Sequence, residues 1–350
     1  MIVYIILIIS ILIFGMLFQK NNKKVYSIIM MILFTLIAGL RHYTIGNDTA
    51  NYVDFYSKIH WYEMKIFDIS RFEKGYIALN LLIAKTNLSY TFFLLVCAAI
   101  TNFFVCRFIR ENSKNMCISF LLFVLCLFFF QEMNIIRQFL AMAIFLFSLK
   151  YIKERKLIKY IICILLAGMM HNSAFMMIPL YFLYGFKLNS KNISIIVSIT
   201  LITYMFFYKI LVNVTMILGL YQGYVESMYG SDKLGNVISF LMYLCIFIFL
   251  YIVSKNKDKT LFDEFMLLCV SILAILNFLA IKISVFTRVA MYLSVLITIA
   301  IPNFIENYIK TSDKKVMYFC ILICFSIYCF VILYFRPNWN HVVPYEFFWR

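Results

Sequence analysis

Apolar runs of about 18–22 residues recur along this chain, and that recurrence decides most of what it can fold into. A helix of about 20 apolar residues crosses the ~30 Å hydrocarbon layer of a bilayer. Backbone polar groups find no water there, so only helices and closed barrels are viable, and these runs lack the two-residue alternation of barrel strands. With 64% hydrophobic residues, 14% charged residues and a mean hydropathy of +0.92, the water-soluble classes are excluded. The predicted fold is all-α: a polytopic integral membrane helical bundle, one transmembrane domain over residues 1–350.

Twelve spans are predicted: Ile2–Phe18, Val25–Leu40, Ser89–Ile109, Met116–Phe130, Ile135–Ile152, Leu157–Met170, Ala174–Phe186, Ile193–Ile210, Val237–Ser254, Leu261–Ile281, Phe286–Ile309 and Val316–Phe335. Met1–Phe18 has no basic start and no small-residue cleavage site, so it reads as the first span rather than a signal peptide. Leu157–Met170 and Ala174–Phe186 are short for two crossings and long for one; two keep the loop charges in phase. Two long loops, 41–87 and 211–236, fall on the same side. Within the first, Ile77–Ala84 is too short to span and is expected to lie along the surface, with Leu79, Leu82 and Ile83 against the bundle. The glycines of 211–236 suit a mobile lid or a platform for sugar rings, and equally a flexible connection.

Net charge is +16, and its distribution matters more than its size. In a membrane protein such an excess reflects Lys- and Arg-rich cytoplasmic loops facing anionic lipid, so no nucleic-acid partner is implied. One face collects 19 basic residues in short connections, among them Lys150, Lys153, Arg155, Lys156 and Lys159; the other holds 13 across longer loops. The dense face is read as cytoplasmic and both termini as outside. Sixteen of the 23 lysines are inner, yet six of the nine arginines (Arg41, Arg71, Arg137, Arg288, Arg336, Arg350) are outer. A forked, always-charged guanidinium suits phosphate or carboxylate. The plainer reading pairs them with outer carboxylates such as Asp48, Glu73 and Glu132.

Several of these arginines stand in polar motifs. Arg41 is followed by Gly46, Asn47 and Asp48, residues that suit a tight turn with convergent side chains. Arg137 comes three residues into an apolar helix, beside Gln138 and one turn after Asn134. Burying a charge there costs on the order of 3 kcal/mol, so it must face a polar cavity or a partner, and Glu132 is the nearest in sequence. His171 joins two apolar runs, where a histidine is either a hydrogen-bonded end cap or a general base. Arg288, with Tyr292 one turn later, opens another span. The ten cysteines, all in or beside apolar runs with no CxxC, read as buried small hydrophobes. No metal-ligand spacing is present, and no cofactor is implied.

Taken in order, Arg41…Ile45-Gly46-Asn47-Asp48…Tyr52, Glu73-Lys74-Gly75-Tyr76, Ile136-Arg137-Gln138-Phe139-Leu140-Ala141, His171-Asn172-Ser173-Ala174-Phe175, Arg288…Tyr292 and Pro344-Tyr345 resemble the EpsG-type branch of the Wzy-like bacterial polysaccharide polymerases. The resemblance covers most of the chain. It implies a glycosyltransferase of GT-C-like architecture at the bacterial cytoplasmic membrane, with its site facing outward. The donor would be a growing glycan on undecaprenyl diphosphate, and the acceptor a sugar hydroxyl of the next lipid-linked unit, without a metal. Membrane lipid and a chain-length regulator are the further partners implied. Arg137, Arg288 and Arg41 would meet the diphosphate; His171 or Asp48 would take the acceptor proton; Gln138, Tyr292, Glu73 and Tyr345 would complete the substrate site.

Three other functions compete, of which a membrane acyltransferase would want its histidine and arginines toward acyl-CoA in the cytoplasm, against the orientation read here. An O-antigen ligase normally carries its large outer loop late in the chain, whereas here the largest is early. A lipid-linked oligosaccharide flippase or transporter predicts internal repeats and charges near the midplane; no repeat is evident and the charges keep to one face.

Overall fold

A computed structural model describes residues 1–62, 66–70, 72–217 and 233–349. Arg71, Arg350 and most of the expected loop 211–236 lie outside them. The described chain is helical, with no strand among the described residues. It falls into two compact units, Met1–Ile178 with Ile309–Arg350, and Pro179–Tyr308.

The first unit opens with α1 (Ile2–Phe18), α2 (Lys23–Gly39), α3 (Thr49–Tyr62), α4 (Ile66–Ile69) and α5 (Lys74–Ala84). It continues through α6 (Tyr90–Asn112), α7 (Met116–Leu125), α8 (Phe128–Asn134), α9 (Ile136–Lys153) and α10 (Leu157–Met170) to a 3-10 helix, Asn172–Tyr181. Polar residues start several helices: the Asn22 side chain accepts from the Val25 N–H (3.1 Å) and Asn115 from that of Ile118 (3.3 Å), each satisfying an end donor. α2 lies close against α6, where a Cβ on Gly39 would stand 2.6 Å from Leu95. Phe34 of α2 fills the centre among Phe120, Phe123 and Phe129.

Two breaks shape this unit. Leu127 takes a left-handed conformation (φ +68°), and α7 and α8 meet at a 52° bend. At Ile135 (φ −107°, ψ 60°) α8 ends and α9 begins, placing Arg137 in the first turn of a new helix.

The second unit comprises α11 (Ser190–Ile217), α12 (Lys233–Ser254), α13 (Leu261–Ala280), α14 (Val285–Ser294) and α15 (Ile297–Tyr308). Thr260 caps α13 through the Asp263 N–H (3.1 Å), and Asp263 and Glu264 in the first turn complement the helix dipole. Side chains of α11, α12 and α13, among them Val197, Phe240 and Phe278, line an apolar cavity of about 270 Å³. The chain then returns to the first unit as α16 (Thr311–Phe335) and α17 (Pro337–Asn340).

Among the described residues, four helices are long and apolar enough to cross a bilayer: α6, Leu234–Ser254 of α12, α13 and α16; counting the bent pairs α7–α8 and α14–α15 as one span each makes six. The chain is thus an integral membrane protein. Of the other expected spans, α1, α2 and α10 are helices of 14–17 residues, α9 has 18 residues and carries Arg137, Lys150 and Lys153, and α11 runs from Ser190 to Ile217. The run expected to span from Ala174 to Phe186 is instead the 3-10 helix with Pro179 inside it, ending in turns at Gly185 (φ +93°). It does fold back on α10: the Tyr160 hydroxyl donates to the Met177 carbonyl (2.6 Å), and a Cβ on Gly168 would meet the Phe175 ring.

The expected surface stretch is α5; Ile83 is buried and Leu79 packs against the core as expected, and of the three residues only Leu82 departs. Tyr76, Ile77, Asn80, Ile83 and Ala84 face the interior at helical spacing, whereas Leu82 is 66% exposed.

Candidate functional site

Two structures built from the sequence motifs define the site: a buried polar knot around residues 41–49, and an ionic cluster centred on Glu73.

In the knot, Arg41 is buried and its guanidinium is spent on the protein. It donates to the carbonyls of Met133 (2.9 Å), Ile45 (3.3 Å) and Ala38, and to the Thr49 hydroxyl (3.4 Å). Thr49 also donates to the Met133 carbonyl (3.0 Å). Gly46 is required twice: its φ is +93°, and a Cβ there would stand 2.6 Å from the Met133 oxygen. The Asn47 N–H donates to the Asn134 side chain at 2.6 Å. The turn is therefore fastened to the carbonyl end of α8, the residues that set where α9 begins.

The C-terminal segment closes over this turn. Asn47 donates to the carbonyls of Asn338 (3.1 Å) and Trp339 (3.0 Å), the Gly46 N–H to that of His341 (2.9 Å), and the His42 N–H to that of Glu346 (2.9 Å). The Tyr345 hydroxyl donates to the Ile37 carbonyl (2.8 Å). Arg41 and Tyr345, both expected at the substrate, thus spend polar groups on main-chain oxygens.

The ionic cluster gathers three elements. Glu73 stands at the N-cap of α5, but its side chain does not cap its own helix. One carboxylate oxygen pairs with Arg137 Nη1. The other accepts from His171 Nδ1 at 2.9 Å and from the Asn172 N–H at 3.2 Å, so Glu73 caps the 3-10 helix that follows His171. Gly75 makes this reach possible: a Cβ there would stand 2.6 Å from Met169 Cβ and 2.8 Å from its carbonyl oxygen. Glu132, the partner nearest to Arg137 in sequence, is not its partner. It faces α6, where the Asn102 amide donates to it at 2.7 Å. The break at Ile135 separates the two side chains.

Aromatic rings enclose Arg137. Its guanidinium carbon lies 4.5 Å from the centre of the Phe72 ring and 5.9 Å from those of Tyr52 and Tyr76, within cation–π range. Its Nε is buried without a hydrogen-bond partner among the described residues. Burial pushes the Glu73 carboxyl up, but the His171 hydrogen bond and the Arg137 charge outweigh it and hold the group down at about 2. An ionised Glu73 fixes the proton of a neutral His171 on Nδ1 and leaves Nε2 as the lone-pair nitrogen.

The remaining expected residues divide. Asp48 is half-buried just before α3. Burial raises the Tyr52 hydroxyl above its usual range, Arg137 opposing and Asp48 adding to the shift, which sets Tyr52 in the field of both. Gln138 is buried beside Arg137 in α9. Arg288 is exposed on α14 and Tyr292 is buried one turn later, both in the second unit. Sequence reasoning missed Phe72, the Asn172 N–H and the Thr49 hydroxyl. Phe72 carried a signal, because Phe72 and Tyr76 share a face with Glu73 between them.

No curated protein and no solved structure matches the chain. A family model does match, over residues 24–347, and so takes in the knot, the ionic cluster, the second unit and the C-terminal clasp. The chain belongs to the EpsG family, whose members are of the polysaccharide-polymerase type.

Proposed function

We propose that this protein is a metal-independent glycosyltransferase that polymerises lipid-linked repeat units at the outer face of the bacterial cytoplasmic membrane. The growing glycan leaves undecaprenyl diphosphate and passes to a sugar hydroxyl of the next unit. The observation that carries this reading is the Glu73 carboxylate, shared between Arg137 Nη1 and His171 Nδ1.

Glycosyl transfer needs a base for the acceptor proton and positive charge for the departing diphosphate. With Nδ1–H held on Glu73, His171 Nε2 takes the hydroxyl proton as the new glycosidic bond forms. Glu73 stabilises the imidazolium that results and keeps the ring oriented. Arg137 clamps Glu73 through Nη1, and the rest of its fork contributes to the diphosphate, where preorganised donors act most strongly on developing charge. Arg41 and Tyr345 are positioning residues in this scheme: the knot they build fixes the start of α9 and hence Arg137.

The test is incubation of purified protein with a polyprenyl-diphosphate-linked repeat unit. A ladder of products on a gel supports a polymerase. Movement of the unit across vesicles without a ladder supports the transporter reading, and transfer of one finished chain to another acceptor supports a ligase.

A further inference from the structure

The far end of α9 carries a second charged site, about 20–24 Å from Arg137 at 1.5 Å per helical residue. There α6 and α9 end side by side around a cavity of about 180 Å³ lined by Arg107, Glu111, Asn112, Phe147, Lys150 and Lys153. Arg107 Nε is bonded to Glu111 (2.7 Å), which Arg110 also approaches (3.8 Å). Lys150 Nζ sits 3.8 Å from the centre of the Phe147 ring, and Lys153 donates to the Asn112 side chain. The cavity is thus bordered by three cations and one carboxylate, an excess of two positive charges.

Cations at helix C-termini offset the helix dipole, and that alone accounts for some of these residues. It does not account for an open cavity between them, nor for its apolar wall of Phe104, Phe108 and Leu146. Because α6 is long and apolar enough to cross the bilayer, its last turn lies at headgroup level. Positive rim, aromatic floor and headgroup depth together match a phosphate with acyl chains beside it. We propose that the cavity between the C-terminal ends of α6 and α9 binds the phosphate headgroup of an anionic glycerophospholipid. A freely soluble phosphate would gain nothing from the apolar wall. The inference needs only that α6 spans the membrane and is independent of the polymerase reading.

The experiment is native mass spectrometry of the full-length protein titrated with phosphatidylglycerol or phosphatidylcholine. Wild-type protein is expected to retain one phosphatidylglycerol with roughly tenfold or greater preference over phosphatidylcholine. The double variant R107Q/K150Q is expected to lose that preference. Glu111→Gln, which removes the only carboxylate lining the cavity among the described residues, is expected to strengthen retention, so a loss of binding through misfolding cannot imitate both results. Equal retention of the two lipids by wild-type protein, or unchanged preference in both variants, would overturn the proposal. Displacement of the lipid by millimolar inorganic phosphate would also overturn it, by showing a site for a soluble anion.

Discussion

Glu73 accepts a hydrogen bond from His171 Nδ1 at 2.9 Å although the two residues are 98 positions apart in the chain. That contact joins the start of one helix to the turn after another, and Arg137, from a third, pairs with the same carboxylate. Each group then has its own part: Arg137 is a cation that anchors, Glu73 a carboxylate that orients, and His171 an imidazole with one nitrogen left to react.

The shared carboxylate makes the Arg137 variants informative. Arg137→Ala removes the Glu73 cation, so melting temperature falls as well as activity. Arg137→Lys keeps the charge and is expected to recover most of the melting temperature. It is not expected to recover ladder formation, which falls by about 100-fold or more because lysine lacks the guanidinium fork. Full recovery of both by lysine would make Arg137 a stabilising residue alone.

The apolar runs and the motif residues Glu73, Arg137 and His171 are legible in the sequence, because composition and a charge inside a hydrophobic stretch are local signals. Their meeting is not. Glu132 looks like the partner of Arg137 by proximity, and only the break at Ile135 turns it toward Asn102 instead. The roles of Gly46 and Gly75 are equally out of reach, since each depends on a backbone more than 80 residues away. The run after His171 reads as a span because its residues are apolar; that its backbone is 3-10 depends on how it returns against α10.

Gly75→Ala tests the close approach of α5 to α10. The new methyl meets Met169 backbone and side chain at less than 3 Å. Overpacking of this kind costs about 1–3 kcal/mol and here also lifts Glu73 away from His171. Lower melting temperature together with a loss of ladder formation is expected. Normal activity with normal stability would contradict the packing described.

Acid stability follows from the Glu73 carboxyl, held at about 2 against an ordinary value of 4.5. A depressed carboxyl adds stability that is complete above about pH 4.5 and disappears as pH falls through about 2. The melting-temperature difference between wild type and Glu73→Gln is therefore expected to be level above pH 5 and to shrink between about 4.5 and 2. A difference that vanishes by pH 6 would mean the carboxylate is not held in this way.

Arg41 behaves differently from Arg137 because its donors are already taken. Arg41→Ala leaves the Met133 and Ile45 carbonyls short of a buried donor and is expected to cost on the order of 3 kcal/mol or more. Yield of folded protein is the measurement, with Arg41→Lys recovering little of it. A well-folded Arg41→Ala protein that had lost only activity would place Arg41 at the substrate.

The most direct measurement is the initial rate of ladder formation by His171→Ala, made from a polyprenyl-diphosphate-linked repeat unit and compared with wild type at matched folded concentration. Removing the general base is expected to slow the rate by about 100-fold or more at matched folded concentration, beyond the modest fall in melting temperature that losing the Glu73 hydrogen bond brings. A folded His171→Ala protein that builds the ladder at close to the wild-type rate would contradict the assignment of the base and the role given to Glu73.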